Sequence, residues 1–182
     1  HNSLLEYEPA KPEIDQNIED IYNNAYELFI HNKYSEALDN LNKLDNKYIE
    51  DVLLLKGNIY LADNSLEKAR EAFETILAQN PQLVPAYVGL AEYFYKKGLK
   101  HDSKVMYEQA LKIEPKDEFA LVGLAKVNQE LGLSPVDNLV DFFSNTEIGE
   151  DANAQLDLAY EKFESKNYSE ALDILSQLET EL

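Results

Sequence analysis

The stretch Lys33-Tyr34-Ser35-Glu36-Ala37-Leu38-Asp39-Asn40-Leu41 returns near the other end of the chain as Asn167-Tyr168-Ser169-Glu170-Ala171-Leu172-Asp173-Ile174-Leu175. Seven of these nine positions are identical. The same frame recurs between them as Ser65-Leu66-Glu67-Lys68-Ala69 and Leu99-Lys100-His101-Asp102-Ser103. A small residue stands twelve places earlier each time: Ala25 before Ala37, Gly57 before Ala69, Ala91 before Ser103, Ala159 before Ala171. The steps from Ala25 through Gly57, Ala91 and Ala125 to Ala159 are 32, 34, 34 and 34 residues, and Pro81 and Pro115 keep the step of 34. A fixed period of this size decides the fold, because each unit must bury its apolar face on the next one.

The pattern resembles the tetratricopeptide repeat, a helix-turn-helix unit of 34 residues. The third unit carries the resemblance best, with Tyr87, Leu90, Ala91, Phe94, Gly98, Ser103, Tyr107, Ala110 and Pro115 in the family's slots. The second unit supplies Leu53, Gly57, Tyr60, Leu66, Ala69, Phe73 and Pro81. The resemblance implies an all-α fold, a right-handed α-solenoid. Its expected units are 18–49, 50–83, 84–117, 118–151 and 152–182.

The physics of the pattern stands without the family. Small residues at positions 8 and 20 of each unit let its two helices approach closely. Aromatic residues fill the space between one pair and the next. Lys96-Lys97 before Gly98 reads as a helix end with a left-handed cap. Asn80-Pro81 and Glu114-Pro115 end second helices, since proline cannot continue them.

The fourth unit departs from the pattern. It begins well, with Leu121, Leu124, Ala125 and Gly132, but then carries Asp137 and Asp141 where Ala and an aromatic residue are expected. Val136, Leu139, Val140 and Phe143 still make an apolar stripe, slid by one residue, with Ser134-Pro135 as its start. We expect packing kept by the slip, with a hinge in the solenoid as the alternative. Residues 1–17 read as an extended linker because of Glu8-Pro9-Ala10-Lys11-Pro12-Glu13, with Leu4, Leu5 and Tyr7 as apolar docking residues. The start at His1 without Met reads as a processed product or fragment, and the end at Leu182 reads as blunt, covered by a partner or by further repeats.

Composition excludes several functions. The 182 residues hold 35 Asp and Glu against 16 Lys and Arg, a net charge of −19. Nucleic acid is not expected as a partner, because phosphate contacts need clustered cations. No apolar run approaches the roughly 20 residues that span a bilayer. With 0 Cys, thiol catalysis and Cys-ligated zinc are excluded. Hydrophobic residues at 45% are enough for a core, so acidity here does not mean disorder. The charge is uneven: residues 1–50 carry net −7, 51–100 carry 0, 101–150 carry −6 and 151–182 carry −6. Acidic ends beside a neutral middle would steer a partner with basic flanks, with an encounter rate that falls with salt. A cytoplasmic location is the expectation, with an exported or membrane-tethered fragment as the alternative.

No chemistry-bearing motif is present. His1, His31 and His101 have no metal-ligand spacing, the six glycines are isolated, and no serine sits in a nucleophile elbow. We therefore expect no catalysis, no cofactor and no metal. The resemblance places function in a concave groove lined by the first helices. Carried over position by position, the groove positions include Ala62, Pro85, Lys96 and Phe119, and the residues singled out as its binding set are Tyr22, Tyr26, Phe29, Leu54, Asn58, Leu61, Val88, Glu92, Tyr95, Val122, Lys126, Tyr160 and Phe163. One subclass clamps chaperone C-terminal carboxylates, but only Asn58 fits its cationic slots, so no such clamp is expected. The expected function is a protein-interaction module, an adaptor or assembly scaffold that takes an apolar or amphipathic peptide segment. The alternatives are a self-assembling homo-oligomer and an accessory domain of a larger enzyme or chaperone. Any single aromatic residue of the set has a competing assignment to helix packing.

Overall fold

The computed structural model describes residues 16–44 and 48–133, together with single positions between 154 and 177. Its continuous part holds seven helices: α1 Gln16–Ile30, α2 Tyr34–Leu41, α3 Glu50–Ala62, α4 Leu66–Gln79, α5 Val84–Lys96, α6 Lys100–Ile113 and α7 Glu118–Glu130. A short 3-10 turn, Asn42–Leu44, extends α2. Among the described residues there is no strand. Each odd helix packs on the even helix that follows it, and each even helix packs on the next odd one. The odd helices also touch one another in succession, α1 on α3, α3 on α5 and α5 on α7. They form one face and the even helices the other, which is the layering of a right-handed α-solenoid.

The small residues sit where close helix approach requires them. Ala25, Ala37, Ala69, Ala91 and Ser103 are fully buried, as are Ala159 and Ala171. Ser103 is polar in an apolar contact, and its Oγ donates to the Ala91 carbonyl at 2.8 Å. That bond crosses the α5–α6 seam and removes the penalty of burying a hydroxyl.

The turns inside the pairs repeat with atomic regularity. Asn32, Asn64, Gly98 and Gly132 all have positive φ, between 60° and 78°. After each, the next N–H donates back across the turn: Lys33 to Leu28, Ser65 to Tyr60, Leu99 to Phe94 and Leu133 to Asn128, at 2.8–2.9 Å. This is the six-to-one bond of a Schellman cap. Asn167 donates to Lys162 at 2.9 Å in the same relation. Sequence reading marked Gly98 and Gly132, while Asn32 and Asn64 escaped notice because Asn is the second residue that tolerates a left-handed backbone.

Aromatic side chains lock one pair to the next. Phe73 of α4 is fully buried between α3 and α5. A Cβ built on Gly57 would lie 2.5 Å from its ring, and one on Gly89 2.4 Å. Tyr107 of α6 repeats this against α7, where a Cβ on Gly123 would lie 2.2 Å from it. The glycines at 57, 89 and 123 thus leave space for rings, and overpacking would follow their replacement. Burial pushes the Tyr107 phenol well above its ordinary pKa.

On the α4–α5 seam, Glu67 accepts from Tyr93 Oη at 2.9 Å and Lys97 Nζ at 3.1 Å, with Arg70 Nε at 3.2 Å. The Lys97 and Tyr93 hydrogen bonds hold its carboxyl below the usual range. In α7, Leu121, Leu124 and Ala125 are buried. Asn128, 1% exposed, takes the slot of Tyr60 and Phe94, and its Oδ1 has no partner among the described residues. The shifted stripe from Val136 to Phe143, with Asp137 and Asp141, lies outside the described residues, as do residues 1–15.

Candidate functional site

The odd helices bound two adjoining cavities on their shared face. The first, of about 490 Å³, lies between α3 and α5, with Phe29 of α1 at one end and Phe119 of α7 at the other. Asn58, Leu61 and Ala62 come from α3, and Pro85, Val88, Gly89, Glu92 and Lys96 from α5. The second, of about 570 Å³, lies between α5 and α7. Glu92, Tyr95 and Lys96 form one wall, and Phe119, Val122, Gly123 and Lys126 the other, over Tyr107. Glu92, Lys96 and Phe119 belong to both cavities, so they stand where the two meet.

Each cavity is built by the same local device. A glycine at the sixth position of the repeat, Gly89 or Gly123, lies against a ring from the preceding even helix. A side chain there would displace the ring beneath and fill the space above. The first floor is apolar, since Phe73 lies behind Gly89. In the second, the Tyr107 ring itself reaches the surface of the cavity.

The walls differ in charge. Tyr95 Oη donates to Glu130 Oε1 at 2.7 Å, and Lys126 Nζ stands 4.5 Å from the Tyr95 ring centroid, a cation–π contact. Lys100 Nζ lies 3.5 Å from Glu130 Oε2. The Tyr95 hydrogen bond is the main reason that the Glu130 carboxyl stays below its ordinary range. Glu92 behaves in the opposite way. The residue is exposed, yet desolvation by the surrounding walls raises its pKa, against the pull of Lys96 and Lys126. Among the described residues Glu92 makes no hydrogen bond or ion pair. Phe119 is 76% exposed, a large apolar side chain at the first turn of α7. Asp117 caps that helix, its Oδ1 accepting from the Ala120 N–H at 2.8 Å.

Eight of the thirteen residues named from sequence line these cavities: Phe29, Asn58, Leu61, Val88, Glu92, Tyr95, Val122 and Lys126. Three line neither. Tyr22 packs on the first core and Leu54 on the second, and Tyr26 is exposed on α1. Burial raises the Tyr22 phenol, and Asp51 adds to the shift. Tyr160 and Phe163 lie outside the described residues. Phe119, which also holds a groove position of the family, lines both cavities, whereas Gly89, Gly123 and Tyr107 were missed. A signal existed: Gly89 and Gly123 are 34 residues apart, as are Phe73 and Tyr107. Among the described residues, no group of three His, Asp or Glu side chains could hold a metal, and no helix is long and apolar enough to cross a membrane.

Comparison with known proteins agrees with this architecture. The tetratricopeptide-repeat family model matches residues 50–83 and 84–117. The human protein O-mannosyl-transferase TMTC1 is 28% identical over 102 residues, which cover 54% of this chain and 12% of that protein. The chain thus spans about an eighth of the length of that relative. The uncharacterized protein ycf37 of Cyanophora paradoxa is 32% identical over 107 residues, covering 54% of this chain and 62% of that protein. Among solved structures, the thermophilic repeat protein TTC0263 of Thermus thermophilus superposes with a TM-score of 0.59 at 17% identity. That superposition covers 88% of this chain and 89% of the other, and at such identity it speaks for the fold alone.

Proposed function

Because the chain belongs to the tetratricopeptide-repeat family, whose fold is a general protein–protein interaction module, we propose that residues 18–182 form a non-catalytic binding domain of about five repeats. Its groove between α3, α5 and α7 takes an apolar or amphipathic peptide segment. Phe119 carries this reading. A phenylalanine 76% exposed at the junction of two cavities adds nothing to the core, and an apolar side chain in that setting is what a partner covers. The cavities are also of the size that receives a few side chains. Fixed aromatic walls such as Tyr95 lower the ordering cost of binding.

The acidic chain favours a partner with basic flanks, and no cofactor is needed. The long relative TMTC1 supports a supplementary reading in which such a domain serves a larger protein. The test is selection from a phage-displayed library of random twelve-residue peptides. The intact chain should enrich a defined set, and Phe119→Asp should lose it while keeping the circular-dichroism melt. No enrichment by the intact chain would refute the groove. Enrichment that survives Phe119→Asp would place binding elsewhere. Light scattering on both proteins decides the self-assembly alternative: a dimer abolished by Phe119→Asp would make a second copy the occupant.

A further inference from the structure

We propose that the groove selects a peptide carrying one basic side chain between two apolar ones, with Glu92 as the acceptor of the cation. This rests on the groove reading above and specifies its partner.

Three observations carry it. First, position: Glu92 lies on the divider shared by both cavities, so a group bound to it has an apolar socket on either side. The sockets are equivalent by construction, since Gly89 and Gly123 open one on each side of the divider. Second, availability: Glu67 and Glu130 are engaged by lysine and tyrosine, whereas Glu92 has no hydrogen bond or ion pair among the described residues. A carboxylate crowded by groove walls and left without a donor gains most from a partner that brings one. Third, charge: Asp117 and Glu118 add two further carboxylates to the lining. Of the two lysines, Lys126 is held over the Tyr95 ring. Lys96 lies one helical turn from Glu92, yet no ion pair closes between them. The two linings together hold three carboxylates, Glu92, Asp117 and Glu118, against these two lysines, a small acidic excess in the same sense as the chain's net charge of −19. A guanidinium suits the site better than an ammonium, because it can pair with the carboxylate while its flat face covers Phe119.

The same peptide library tests this separately from the groove itself. The peptides enriched by the intact chain should share an arginine or lysine with apolar residues near it on both sides. One of them, made synthetically and measured by fluorescence anisotropy, should lose at least about tenfold in affinity on Glu92→Lys and about fivefold on Glu92→Gln. Glu74→Gln, on the even-helix side, should leave it unchanged. Changing the peptide's basic residue to norleucine should weaken binding to the intact chain and not to Glu92→Gln. An enriched set that is apolar without a basic residue, or that is acidic, overturns this inference and leaves the groove reading standing. Loss of affinity equal for Glu92→Gln and Glu74→Gln overturns it as well. A library that yields nothing with the intact chain sinks both.

Discussion

The two cavities are one construction used twice, and they differ in what the construction leaves exposed. At the α3–α5 seam, the Phe73 ring behind Gly89 is fully buried and does not line the cavity. At the α5–α7 seam, Gly123 leaves part of Tyr107 in view, under walls tied down by Glu130 and Lys126. A repeat fixes where a socket forms, because the glycine and the ring belong to its framework. The variable positions on the odd helices then decide the chemistry of its walls. This separation lets a regular solenoid carry a specific site.

The largest effect should come from removing the shared ring. Phe73→Ala should cost about 3–5 kcal/mol in urea denaturation, since it empties a fully enclosed site between three helices. Tyr107→Phe keeps the ring at the second seam and should cost far less, about 1 kcal/mol at most. Equal losses would mean that the two floors are not equivalent supports. Next come the glycines. Gly89→Ala and Gly123→Ala should each destabilise by about 1–3 kcal/mol, because the new methyl group overlaps the ring and one of the two must shift. A neutral Gly123→Ala would show that Tyr107 is free to move, and would break the parallel.

Smaller still is the effect of the turns. Gly98→Ala meets no atom within 4 Å, so its cost, about 1 kcal/mol, comes from the left-handed backbone alone. Asn64→Gly should be close to neutral at the equivalent turn. The smallest expected effect is electrostatic. The Glu92 carboxyl has a raised pKa in the folded chain, so its charged form weighs against folding above that pKa and not below the unfolded value. Glu92→Gln should therefore melt slightly higher at neutral pH, with the difference vanishing as the pH falls below the ordinary carboxylate range. Glu67→Gln should do the reverse. Its lowered pKa marks a stabilising contribution present at neutral pH and lost on acidification. Lys96, Lys126, Tyr95, Tyr107, Asp117 and Glu118 are the charged and titratable groups that share the cavity linings with Glu92.

Much of this was legible in the sequence. The small residues at 25, 37, 91 and 103 and the prolines at 81 and 115 announced the helix pairs, because close contact and helix termination depend on single residue types. Eight of the residues that the family resemblance singled out line the two cavities. What escaped was relational. Tyr22 and Leu54 occupy groove positions, yet they pack half-buried against the first and second cores, and no one-dimensional pattern records which side a borderline position takes. Gly89 and Gly123 looked like isolated glycines until their rings were known. Phe119 holds a groove position of the family, and what the repeat pattern could not give is its 76% exposure where the two cavities meet. The Asn turns were readable in principle, since Asn32 and Asn64 keep the register of Gly98 and Gly132.

The most direct test of the account is backbone amide chemical-shift mapping on isotope-labelled protein, titrated with a peptide selected by the intact chain. The largest perturbations are expected at Gly89, Glu92, Phe119 and Gly123, the residues that floor and divide the two cavities, with the even helices α2, α4 and α6 little affected. Perturbations concentrated on the exposed faces of α4 and α6, with Gly89 and Gly123 unmoved, would contradict it.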